Sequence, residues 1–187
     1  MSDGVAFGIR LGGDLDVEGT WDSWAAFSPD RRYRYALGRG WNAEAPWFVA
    51  VGLNPSTADA SQDDPTVRRL LAFARRERCG TLLLVNAFAL RATDPLDLVA
   101  AIRRGQDPVG PHNNEVISIA ARAPMLARVV AAWGAPPRKE LRHRLRAMVA
   151  WPRRGRWECL GQTKGGHPRH PLYLPATASI VPLGRAA

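Results

Sequence analysis

The sequence predicts an α/β fold: a three-layer α/β/α sandwich with a mostly parallel central sheet. Two observations predict it. Short continuous apolar runs (PWFVAVGL at 46–53, TLLLV at 81–85 and LARVVAAW at 126–133) are each bounded by turn residues, as strands buried on both faces are. Between them lie stretches of helical periodicity, two of which open on Asp-Pro. Strands that alternate with helices pair in parallel and carry the helices on both faces of the sheet.

Each element has a local reason. Residues 1–30 are rich in Gly and Asp and read as an irregular leader; residues 31–187 read as one α/β domain. Residues 33–39 alternate apolar side chains with Arg, the pattern of a half-exposed strand. The run 46–53 is the first buried strand. Asp64 then caps a helix, and Pro65 suits its first position. That helix runs to about Arg78, with Val67, Leu70, Leu71 and Ala74 on one face and Gly80 as its stop. The second strand, 81–85, ends at Asn86. Asp94-Pro95 opens a helix to about Arg104, and residues 113–123 fit another. Strand 126–133 is followed by Gly134, a basic amphipathic helix at 137–150, a fourth strand at 157–160 and a long loop from Gly161.

Composition limits the function classes. The chain has 187 residues, 46% hydrophobic and 23% charged, the balance of an ordinary globular domain. No apolar run approaches the roughly 20 residues that cross a bilayer, and no signal pattern opens the chain, so a monomer in the cytoplasm is expected. Two cysteines, Cys79 and Cys159, fall short of the about four ligands of a structural zinc or iron–sulfur site. No cofactor or metal is predicted. The net charge of +9 favours polyanionic partners, although an Arg- and Ala-rich composition produces such an excess without selection for binding. The charge is concentrated: Arg138, Lys139, Arg142, Arg144, Arg146, Arg153, Arg154 and Arg156 face one acid, Glu140, in 138–156. Phosphate-loop, dinucleotide, nucleophile-elbow and HExxH motifs are missing from the sequence.

In open α/β sheets ligands bind beyond the carboxyl ends of the strands. Here those ends carry the segments 52–59, 86–94, 133–137 and 161–173. Gly52 lets backbone approach a ligand closely. Asn54 offers an amide donor and acceptor before the rigid Pro55, and Ser56 adds a hydroxyl. The alternative is a turn that satisfies its own backbone. Asp64 reads as a cap; Asp63 is then available as a base or a metal ligand, or is simply solvated. Asn86 suits a base edge, or a core amide bonded to a loop. Arg91 suits a phosphate or plain surface. The last loop gathers Lys164, His167, Arg169 and His170 among glycines and prolines, a composition suited to an anion.

Residues 33–174 resemble a bacterial domain family of unknown function with an LNPSTAD turn, a DDPT helix start, an NAFALRATDP loop and a late HPLYL. The arrangement also resembles the uracil-DNA glycosylase superfamily. VGLNPSTA is similar to its first motif, GTLLLVNAFALRA to its base-reading strand, VVAAWGAPPRK to its third strand and GGHPRHPLYLP to its HPSPL motif. That resemblance implies a glycosylase-like sandwich and hydrolysis of the N-glycosidic bond of a damaged or modified base in DNA, single- or double-stranded. It implies that Asn54 aligns water, that Asn86 bonds the flipped base, and that His170, or else His167, stabilises the departing base. Lys164, Arg169 and Arg91 would then hold phosphates. The superfamily places an aromatic shortly after the first motif, whereas residues 57–72 contain none. A binding module for a nucleobase or nucleic acid, or an enzyme of free nucleotides with a metal on the Asp pair, are the other readings.

Overall fold

A computed structural model describes residues 5–6, 9–10, 14–151 and 156–184. A short pair, β1 (Val5–Ala6) and β2 (Ile9–Arg10), stands apart from the main sheet. The main strands are β3 (Asp16–Thr20), β4 (Ser23–Phe27), β5 (Arg34–Gly40), β6 (Trp47–Gly52), β7 (Thr81–Asn86), β8 (Leu126–Ala131), β9 (Trp157–Cys159) and β10 (Val181–Pro182). The helices are α1 (Pro65–Arg76), α2 (Pro95–Arg103), α3 (Asn113–Ala120) and α4 (Arg142–Val149).

The sheet order is β10-β9-β8-β6-β7-β5-β4-β3, and it overturns the mostly parallel, glycosylase-like sandwich predicted above. Only β9-β8, β8-β6 and β6-β7 are parallel; β10-β9, β7-β5, β5-β4 and β4-β3 are antiparallel. The fold is a mixed eight-stranded sheet with four helices. The physical reason is pairing partner. β5 precedes β6 in the chain but joins the far edge of β7, with Leu37 opposite Leu84, and this direction propagates through two hairpins. Residues 16–27, part of the expected irregular leader, are the β3–β4 hairpin.

Strand β5 also departs from its expected half-exposure. Apart from Gly40 at its end it is buried, with Arg34 1% and Arg39 7% exposed. Its two arginines reach the loop after β6. Arg34 Nη1 donates to Ala58 O, and Arg39 Nη2 donates to Asp59 O at 2.6 Å.

Helix α1 begins as predicted. Asp64 Oδ1 accepts from Val67 N at 2.8 Å, and Pro65 occupies the first turn. It ends earlier than expected, at Arg76, where Arg78 rather than Gly80 takes the left-handed conformation (φ 57°). Val67, Leu70 and Phe73 of α1 bury against Phe48, Ala50, Leu82 and Leu84. On the opposite face Leu98, Val116, Ile117, Leu145 and Met148 of α2, α3 and α4 meet Val49, Val51, Leu83 and Val85. Each such side chain contributes about 1.5–3 kcal/mol of burial. The basic segment breaks into a 3₁₀ turn, Lys139–Leu141, and the shorter α4; Arg153 and Arg154 lie outside the described residues. No helix among the described residues is long and apolar enough to cross a membrane.

Within the parallel part, β6 sits between β7 and β8, with β9 beyond β8. The chain leaves β6 for one neighbour and returns later to the other. This is a topological switch point, where carboxyl-end loops diverge and leave a crevice.

Candidate functional site

A cavity of about 600 Å³ opens at that switch point. It lies within the size range of small-molecule sites. Gly52, Asn54 and Ser56 reach it from the end of β6 and its loop, Asn86 from the end of β7, Trp133 and Gly134 from the loop after β8, and Arg169 and His170 from the last loop. Asp64 and Thr66 enter from the start of α1. All four expected strand-end segments therefore meet at one place.

The β6 loop is held by its neighbour. Ala87 N donates to Gly52 O, Phe88 N to Leu53 O and Ala92 N to Pro55 O, at 2.9, 2.9 and 3.0 Å. Asn54 Nδ2 donates to Ala92 O at 2.7 Å and Pro55 O at 3.1 Å. Those bonds occupy the amide nitrogen and leave Oδ1 as the acceptor for a ligand or water. Gly52 must lack a side chain here, because a Cβ would lie 2.5 Å from Asn86 Oδ1.

Asn86 is 2% exposed, and its Nδ2 has no hydrogen-bond partner. A buried donor without an acceptor costs about 1–3 kcal/mol. The backbone around it is firmly positioned: Asn113 Nδ2 donates to Asn86 O at 3.0 Å and Ala87 O at 3.1 Å, and Arg144 Nε donates to Ala87 O at 3.0 Å. Asn113 and Arg144 were not expected at the site. Nothing local marks Asn113, and Arg144 stands out only as one of the basic residues of 138–156.

His170 caps the 3₁₀ turn Pro171–Tyr173. Its Nδ1 accepts from Leu172 N at 3.3 Å, so the neutral ring carries its proton on Nε2. Burial pushes the imidazole pKa below its ordinary value, and Asp64 opposes this. Gly134 passes close by in the left-handed region (φ 72°), where a Cβ would lie 3.2 Å from His170 Cβ.

Two aromatics line the cavity, whereas residues 57–72 contain none. Trp133 is buried in the cavity wall and packs edge-on against Trp157, with centroids 5.5 Å apart. Tyr173 is 78% exposed at the cavity, 5.5 Å from the His170 ring. Arg34 was also missed. Alternation in a strand reads as a solvent face, yet this arginine lines the cavity. Burial lowers its pKa to about 10, with Asp64 opposing, so it stays charged at neutral pH.

Of the remaining expected residues, Asp64 lines the cavity and the others lie outside its lining. Asp63 faces away from the cavity in an ion pair with Arg39, whose Nε donates to Asp63 Oδ1 at 2.9 Å. Asp64 has Oδ1 engaged in the α1 cap, whereas Asp63 is held by Arg39. Arg91 donates to Arg31 O at 3.2 Å and stacks over Phe27 at 5.2 Å, a structural use of its charge. Lys164 is exposed and outside the cavity lining. His167 lines a second cleft of about 240 Å³ with Arg142, Arg146 and Leu145, beyond Trp133. Burial, then Arg142 and Arg146, lower its pKa.

The Asp63 placement has a direct consequence. Asp63→Ala removes the carboxylate partner of the nearly buried Arg39 guanidinium, leaving it backbone carbonyl acceptors, and should cost about 1–3 kcal/mol in urea unfolding. The side-chain amide resonances of Asn54 and Asn86 should not move. Unchanged stability with shifted amides would place Asp63 in the site instead.

A family model described as protein of unknown function (DUF1643) matches residues 34–172. The chain belongs to the DUF1643 family. No curated protein and no solved structure matches it. Every residue lining the large cavity except Tyr173 falls inside the DUF1643 span.

Proposed function

We propose that this DUF1643 protein hydrolyses the N-glycosidic bond of a damaged or modified base in DNA. One observation carries the reading: Asn54, Asn86 and His170 meet in a single cavity, each with an uncommitted group suited to one part of that reaction. A base in a duplex must first be flipped out of the stack. Asn86 then pairs with its edge through the amide that has no internal partner. Trp133 and Tyr173 offer aromatic surface to the ring. As the N–C1′ bond breaks, its electron pair leaves with the base, and His170 Nε2–H donates to the developing anion. Preorganised donors of this kind are the main source of rate in such steps. Asn54 Oδ1 orients the water that adds at C1′, and the proton lost from that water passes to solvent. Arg169, exposed at the cavity, suits a backbone phosphate.

The test is incubation of the whole protein with labelled single- and double-stranded DNAs bearing uracil, hypoxanthine and modified pyrimidines. Abasic product that Asn54→Ala reduces supports hydrolysis. No abasic product at enzyme excess overturns it. Salt-sensitive DNA binding without cleavage would mark a recognition module instead.

A further inference from the structure

The wall of the cavity holds a charge that the hydrolytic scheme does not use. Arg34 comes from β5, which pairs antiparallel with β7. It is 1% exposed and lines the cavity. Its Nη1 donates to Ala58 O, while its Nε is buried with no partner. Among the described residues no carboxylate pairs with it. Asp64, the one acid in the lining, has Oδ1 engaged in the α1 cap. Asn86 Nδ2 is the second buried, unpartnered donor in the same lining. Leu70, Leu84, Ala132 and Trp133 supply apolar wall around these groups.

A guanidinium only donates. Facing it, an exocyclic amino group sets donor against donor and leaves the buried N–H groups unpaired. A carbonyl oxygen accepts from it and bears the partial negative charge the cation favours. Arginine reads the carbonyl edge of guanine in DNA grooves by the same logic. We propose that Arg34 sets the specificity of this cavity, selecting nucleobases with an inward carbonyl edge over those with an amino group there. The proposal rests on the reading of the cavity as a base site. The occupant facing Arg34 is a base rather than a phosphate. Leu70, Leu84, Ala132 and Trp133 give the lining apolar surface for a ring, Arg34 is its one buried cation among the described residues, and the planar Asn86 amide matches a ring edge.

The experiment compares free bases that differ at that group, uracil with cytosine and hypoxanthine with adenine, titrated against the whole protein by ligand-observed NMR. The keto member of each pair should bind at least about tenfold tighter, since sites built to pair with a polar group reject partners that leave it unpaired. Arg34→Met should erase the margin. Arg34→Lys keeps the charge without the planar fork and should retain part of it. Equal affinities within the wild-type pairs overturn the proposal, and this comparison decides even where Arg34→Met fails to fold. Inorganic phosphate that displaces the bases, and that no longer binds Arg34→Met, also overturns it. A keto margin without abasic product sustains Arg34 and removes hydrolysis. Abasic product without a margin sustains hydrolysis and removes the role given to Arg34.

Discussion

Replacing His170 by alanine should lower the rate of base release by roughly 10²–10³-fold, the range for loss of one preorganised donor. His170→Gln, which restores an N–H donor, should recover part of that rate. The pH profile separates this role from a merely structural one. Burial holds the His170 pKa below the ordinary value near 6.5. The ring is therefore neutral at pH 7, with Nδ1 accepting from Leu172 N and the proton on Nε2. Protonation consumes the Nδ1 acceptor and breaks that backbone bond. The rate should stay level through neutral pH and fall on acidification, at a pH below 6.5. Stability moves with it. Between the lowered folded pKa and the higher unfolded one, the unfolded chain binds more protons, so stability rises with pH there. The contribution is complete above the unfolded pKa and is lost as pH falls through the folded one. A rate limb that persists unchanged in His170→Gln would assign the titration to another group.

The parts of the fold that were legible in the sequence are the ones with local causes. The runs at 46–53 and 81–85 are apolar throughout because β6 and β7 are buried on both faces. Asp64-Pro65 and Asp94-Pro95 open helices because each Asp accepts a backbone N–H of the first turn. Strand ends follow from strands, so Asn54, Asn86 and His170 could be picked out before the cavity was known. The illegible parts depend on distant partners. The β3–β4 hairpin carries Gly19 and acidic residues on an outer edge and shows no clean alternation. Nothing within 33–39 tells β5 to pair antiparallel with β7, and this choice starts the antiparallel half β7-β5-β4-β3. The same choice buried Arg34, whose alternating position otherwise signals solvent. Asp63 and Asp64 are chemically identical neighbours; one caps a helix and the other meets Arg39, 24 residues earlier.

Trp133→Ala should be the most destabilising change at the site, by about 3–5 kcal/mol, the usual cost of truncating a buried large aromatic. Trp133 is 4% exposed and lines both the large cavity and the second cleft. Its indole is the wall between them. Removing it forfeits the edge-on contact with Trp157, worth about 0.5–1.5 kcal/mol of that total, and gives His170 and His167 a common space. Urea unfolding measures the first effect. The second appears as a loss of base affinity in protein that remains folded, because the cavity has lost that aromatic surface. Trp133→Phe keeps an aromatic wall and should return most of the affinity at a smaller stability cost. A Trp133→Ala protein that unfolds more easily yet binds bases as wild type does would reduce Trp133 to a packing residue. The aromatic surface of the site would then fall to Tyr173, the other Phe, Tyr or Trp of the cavity lining among the described residues.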